Sequence, residues 1–199
     1  MVRYKKGHRD ETHTAIVEAA SKLLRDNGFS ETSVGAVMSA VGLTNGGFYA
    51  HFPNKTSMIE EAVEAAFVQS PRNFAVLARM AGDKGDVGFI AEKYLADERV
   101  AEVDTGCPGA ALLSEVHRQP DEVRQAFHDG AEATAFEIAR APGLQQPGEA
   151  AAWAALAMLM GALSLMRATP DKKIRRVIRA QVVDALRALA GATRAGPAS

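Results

Sequence analysis

Thr44, Asn45, Tyr49, His51 and Lys55 lie close together in the chain, and all five are side chains that dock on nucleic acid. Thr44 and Asn45 can hydrogen-bond base edges, while Tyr49, His51 and Lys55 can meet phosphates. Gly46 and Gly47 stand among them. Each costs about 1 kcal/mol relative to alanine inside a helix, so aromatic anchors rather than helix propensity must hold this segment. Missing side chains also let a backbone lie close to a ligand as large as a duplex. A surface turn between core helices is the plainer reading of the same residues.

Positioning these groups needs a helix, a corner and a second short helix, and residues Thr32 to Lys55 supply them. Val34, Val37, Met38 and Val41 recur at three- and four-residue spacing, which predicts one short helix capped by Thr32 or Ser33. Gly42 ends it, Leu43 folds back onto the stripe, and Thr44 caps the next helix. Phe48, Tyr49 and Phe52 anchor that second helix and Pro53 stops it. Upstream, Ala15, Ile16, Ala19, Ala20, Leu23 and Leu24 mark an amphipathic helix over residues 10–27, closed by Asn27-Gly28. The expected core of this headpiece is Ile16, Leu23, Val34, Val37, Phe48 and Phe52. Thr32 and Ser33 join the DNA-facing set, and Arg3, Lys5 and Lys6 form a basic arm placed to settle along phosphates or in a groove.

The pattern Gly42-Leu43-Thr44, Gly46, Phe48-Tyr49, His51-Phe52-Pro53 and Lys55 resembles the DNA-binding signature of the TetR family of bacterial transcriptional regulators. The likeness runs back through Ala15, Ala19, Leu23, Gly28 and Phe29 and forward to about Phe67, roughly the first third of the chain. It departs at Asn45, where many relatives carry lysine, and at Gly47, where they carry a larger residue. The resemblance implies an all-α fold with a helix-turn-helix DNA-binding domain over 1–54 and a helical effector-binding and dimerisation domain over 55–199. It also implies a homodimer on double-stranded operator DNA, acting as a repressor that a small effector releases. The alternative is a helical small-molecule-binding protein or enzyme with no role on DNA.

Composition limits the choice further. With 199 residues and 47% hydrophobic content the chain can bury a proper core. The net charge is only −1, so DNA binding must rest on local placement rather than a broad basic field. A single cysteine excludes an internal disulfide framework, and no charged-then-apolar leader precedes the first helix, which points to a cytoplasmic protein. The apolar run over residues 150–166 contains Gly161 and Ser164 and reads as a buried helix rather than a membrane span, so no membrane partner is expected.

After Pro53, Asn54 caps a predicted connector helix over 55–70, with Met58, Ile59, Ala62, Val63, Ala66 and Phe67 inward and a boundary at Pro71. Helices follow over about 73–81, 87–97, 108–119, 121–140, 149–168 and 171–190, with loops at 82–85 and 141–148. Small residues Ala151, Ala155, Gly161 and Ala162 suit the last two helices to a helix-on-helix dimer interface. The arginines of the last helix fit a salt-bridged face better than a second DNA site. No HExxH motif or paired metal-ligand spacing occurs among the five histidines, so no metal, cofactor or catalysis is expected. Ser114, Glu115 and His117 on one helix read as its wet face. Phe89, Tyr94, Cys107, Phe127, Trp153 and Met158 are the candidate lining for a largely apolar effector, each equally suited to plain core. Cys107, before Pro108, would be the cap of a helix whose free N–H groups favour a thiolate, although free cysteine more often fills space as an inert packing group.

Overall fold

A computed structural model describes residues 6–82, 86–140 and 148–194, and all the regular structure among them is helical. The first helix, α1 (Lys6–Glu31), breaks at Gly28, whose φ of 79° and ψ of 178° belong to glycine alone. Ser33 caps α2 (Val34–Ala40) by accepting from the Ala36 N–H at 3.1 Å. Gly42, at φ 72°, then turns the corner. The Leu43 N–H returns to the Met38 carbonyl at 2.9 Å and the Gly42 N–H to that of Ser39 at 3.0 Å, which satisfies the helix's last carbonyls. A single 3-10 segment, Asn45–Ala50, follows. Asn54 caps α3 (Lys55–Ala81) through the Ser57 N–H at 2.9 Å.

The chain then continues through α4 (Val87–Tyr94), α5 (Asp97–Ala101), α6 (Pro108–Val116), α7 (Asp121–Ala139), α8 (Gly148–Ala168) and α9 (Lys172–Arg194). Its contacts divide into two compact units, one formed by residues 1–67 with 104–128 and the other by 68–103 with 129–199.

In the first unit α1, α2 and the 3-10 segment enclose Ile16, Ala20, Leu24, Phe29, Val37, Met38, Phe48 and Phe52, all buried, with Met58, Ile59, Ala62 and Val63 from α3. Leu24 is fully buried where Leu23 was expected, and Val34 is only half-buried. Helix α6 lies along α1. Arg25 Nη1 donates to the Gly106 carbonyl at 3.3 Å, and the Phe29 N–H donates to Glu115 at 3.1 Å. Burial pushes the Arg25 guanidinium below its ordinary value, against the opposing pull of Asp104 and Cys107.

In the second unit α9 packs on α4 and α8. Arg187 holds Asp86 at 3.0 Å and Glu92 at 3.2 Å, and Arg179 holds Asp97 at 3.0 Å. These pairs account for part of the arginine face of α9.

Three sequence expectations change. Helix α3 runs through Pro71 to Ala81 instead of stopping at Ser70; the proline removes the N–H that would bond the Phe67 carbonyl, but the helix continues past it. The helix expected over 87–97 ends at Tyr94, and a separate short α5 starts at Asp97. Ala151, Ala155 and Ala162 are 7%, 0% and 6% exposed, so packing inside the chain consumes them, whereas Gly161 remains open. By length and composition α8 could cross a membrane, yet half of the relevant window is buried within the protein. Of the expected loops at 82–85 and 141–148, residues 83–85 and 141–147 lie outside the described residues, while Gly82 turns at φ 57° and Gly148 already opens α8.

Candidate nucleic-acid interface

The 3-10 segment presents its polar groups outward because its aromatics alternate between core and surface. Phe48 is 1% exposed and Tyr49 75%, with the two rings edge to face at 5.2 Å. Phe48 stacks on Phe52 at 5.5 Å. The segment is thus pinned from beneath, which offsets the cost of its glycines. Thr44 stands at its start in extended conformation with no side-chain cap bond. Thr44, Asn45, Gly46, Tyr49, Lys55 and the capping Ser33 are all exposed. Gly47 is half-buried, and a Cβ there would touch the Met38 methyl at 3.6 Å. Thr32 does not join this surface: it is 1% exposed, and its hydroxyl donates to the Gly28 carbonyl at 2.7 Å. Arg3 and Lys5 lie outside the described residues, and Lys6 opens α1.

His51 is half-buried at the end of the segment, and its Nδ1 is buried without a hydrogen-bonding partner. Burial first, then the neighbouring His13 and Arg9, holds the imidazole below its ordinary value of 6.5. A proton on Nδ1 would be a buried orphan, which costs more than an idle lone pair. The neutral ring with its proton on Nε2 is therefore favoured. His13 lies 6.0 Å from His51, stacks on Phe52 at 4.5 Å and meets Glu61 of α3 at 2.6 Å. Arg9 of α1 donates to the Ala50 carbonyl. Arg9 and His13 thus brace the far end of the segment. Neither was singled out as a bracing residue from the sequence, since only folding brings α1 to that end.

The candidate effector-lining residues are drawn from both units. Cys107 and Phe127 belong to the first unit, and Phe89, Tyr94, Trp153 and Met158 to the second. Phe127 meets Phe67 edge to face at 5.1 Å, Tyr94 stacks on Phe74 at 5.4 Å, and Lys93 stands 5.6 Å over Phe89. Trp153 and Met158 are half-buried on α8. Cys107 occupies the cap position before Pro108, half-buried, and its thiol makes no capping bond. An open groove of about 360 Å³ lies elsewhere, lined by Ala15, Glu18, Ala19, Lys22, Leu23 and Ala40. Glu115 faces the Gly28 corner, so it is not grouped for catalysis with Ser114 and His117, both exposed.

A helix capped by serine, a glycine corner and an exposed second segment define a helix-turn-helix protein within an all-α fold. Residues 16–62 match the model of the bacterial regulatory proteins of the tetR family. The chain is 36% identical over 64 residues to the HTH-type transcriptional regulator AcrR of Shigella flexneri, covering 32% of this chain and 30% of that one. It is 31% identical over 65 residues to TtgR of Pseudomonas putida, covering 33% and 31%. The matched region therefore spans less than a third of these relatives' length. Across the whole fold the chain is similar to the reduced form of E. coli NemR, with a TM-score of 0.68 and 17% identity over 86% of this chain and 95% of that one. It is also similar to the multidrug binding protein EbrR complexed with imidazole, at a TM-score of 0.58 and 20% identity over 85% and 93%. The resorcinol complex of RolR gives 0.54 and 12% over 98% of each chain.

Proposed function

We propose that the protein is a one-component transcriptional regulator that binds operator DNA as a homodimer and leaves it when a small molecule binds the helical domain over residues 55–199. The observation that carries this reading is the exposed set Thr44, Asn45, Tyr49 and Lys55 on a segment fixed from below by Phe48 and Phe52. Ser33, Gly46, Gly47 and His51 belong to the same surface, and Thr32 acts beneath it as a positioning residue. Arg3, Lys5 and Lys6 supply an arm along the backbone. Repression is the sense of action, with binding over a promoter excluding polymerase, and the protein works in the cytoplasm. Residues 1–54 form the DNA-binding domain and 55–199 the effector and dimer domain, with 55–70 as connector.

The effector is small and largely apolar, in keeping with the aromatic and methionine content of residues 55–199. The EbrR and RolR structures hold imidazole and resorcinol. Dimerisation uses the open side of α8 and α9. Gly161 and Leu165 are exposed one turn apart on α8, and Ile174 and Val177 are exposed on α9. A dimer also spans two half-sites about 34 Å apart or a multiple of it.

The test is an electrophoretic shift with a duplex from the gene's own upstream region at moderate salt. The specific duplex is retarded and a scrambled one is not, and a panel of small aromatic compounds contains one that releases it. Equal retardation of both duplexes, or of neither, contradicts the reading. Sedimentation at micromolar concentration gives a dimer that Leu165→Glu splits; a stable monomer that still binds DNA tightly contradicts the dimer.

A further inference from the structure

Gly35 is a glycine that the backbone does not require. It sits in the first turn of α2, it is absent from the positive-φ glycines, and alanine there would favour the helix by about 1 kcal/mol. What Gly35 supplies is space. A Cβ built on it would stand 3.5 Å from both Nδ2 and Oδ1 of Asn45, with Ser33 Oγ at 3.8 Å. The amide of Asn45 therefore lies over the bare backbone of α2 in a slot that alanine just fills and any longer side chain would occupy. Ser33 Oγ is already engaged by the Ala36 N–H. Among the described residues the Asn45 amide has no hydrogen-bonding partner, so its donor and its acceptor both remain available on an exposed surface.

We propose that Gly35 is a positioning residue for operator specificity: its missing side chain seats the Asn45 amide so that it recognises one adenine through a paired donor and acceptor. An amide presents N–H and C=O side by side, the complement of adenine N7 and N6 in the major groove. No other base offers that pair in the same order. The proposal rests on the DNA-binding reading above and adds the base that Asn45 reads and the residue that aims it. Gly35 itself touches no base.

The test is selection from a randomised duplex library by the full chain and by Asn45→Ala, Gly35→Ala, Gly35→Leu and Gly35→Gln, with helix content and thermal unfolding followed for each. The wild type is expected to enrich a motif with a required adenine. Asn45→Ala, Gly35→Leu and Gly35→Gln lose the preference at that position alone, by roughly 5- to 150-fold in the ratio of adenine to other bases, while Gly35→Ala keeps it. Two long side chains of different polarity guard against one of them failing to fold. A uniform weakening across all positions would mark Gly35 as merely structural and overturn the proposal. So would an unchanged motif in the two long variants, or an adenine preference that survives Asn45→Ala. If the wild type enriches no motif at all, the DNA-binding reading falls first; an enriched motif indifferent to Gly35 leaves that reading standing and removes this one.

Discussion

Each unit contains a glycine covered by a charged side chain from another helix, and the two glycines are covered for different reasons. In the first unit Gly28 lies under Glu115 of α6; a Cβ would come within 2.6 Å of its carboxylate, and φ is 79°. In the second unit Gly88 of α4 lies under the Arg187 guanidinium of α9, which a Cβ would strike, but the backbone there is ordinary helix. Only at Gly28 does the chain itself demand glycine, because that corner aims α2 and the segment beyond it. At Gly88 the glycine makes room for a side chain long enough to move aside. A close approach alone does not fix a residue, but a close approach on a left-handed corner does.

Gly28→Ala is the largest expected effect. Backbone strain alone amounts to about 1–3 kcal/mol, and displacing Glu115 also removes the acceptor of the Phe29 N–H. A midpoint in urea close to that of the wild type would show that the corner relaxes freely. Glu115→Ala comes next, at about 1 kcal/mol, the lower end for a part-buried N–H left without its acceptor. Glu115→Gln, which retains a carbonyl oxygen, recovers part of the loss; equal destabilisation by both variants would argue for charge rather than the hydrogen bond. Gly88→Ala sits near zero. Its gain in helix propensity, about 1 kcal/mol, opposes the loss of ion pairs that are worth about 0–1 kcal/mol at such exposure. A large destabilisation would mean that Arg187 cannot swing clear.

Acid separates the same two regions. His51 in the first unit is held below its ordinary value of 6.5, so the unfolded chain takes up its proton first. The stability from neutral His51 is fully present above 6.5 and lost as pH falls through its lower folded value. Asp86 in the second unit is held below 3.8. Burial alone would raise it, but the Phe89 N–H and Arg187 outweigh burial. Its contribution is fully present above 3.8 and lost only as pH falls through a still lower value. Protection of the 3-10 segment's amides from hydrogen exchange, after correction for the pH dependence of the intrinsic rate, is therefore expected to fall below pH 6.5 while Trp153, the only tryptophan, reports an unchanged second unit until well below pH 4. His51→Asn flattens the first transition. Simultaneous loss of both units at one pH would remove the distinction.

The parts of this molecule that could be read in advance are those in which neighbouring residues decide the outcome. Ser33, Gly42 and Asn54 act within a few positions of themselves, so caps and corner followed from spacing, as did the inward face of α3 from Met58 to Phe67. Leu24 for Leu23 is a one-residue rotation of a stripe in which both are apolar. Pro71 misled because a proline was taken as an end when packing carries the helix past it. Ala151, Ala155 and Ala162 were assigned to a partner chain because small residues suit any close helix contact, within a chain or between chains. Arg9 at Ala50, His13 at His51, Glu115 at Gly28 and Asn45 over Gly35 are meetings between separate elements, and no local pattern encodes them.

The whole reading stands on the surface formed by Thr44, Asn45, Tyr49, His51 and Lys55 binding duplex DNA, with Tyr49, His51 and Lys55 on its phosphates. The salt dependence of duplex affinity, measured for the wild type and for Lys55→Ala, tests it most directly. Log K is expected to fall linearly with log salt concentration, and Lys55→Ala to reduce the slope by about one per headpiece, with all duplexes weakened alike. An affinity indifferent to salt, or a slope unchanged by Lys55→Ala, would contradict it.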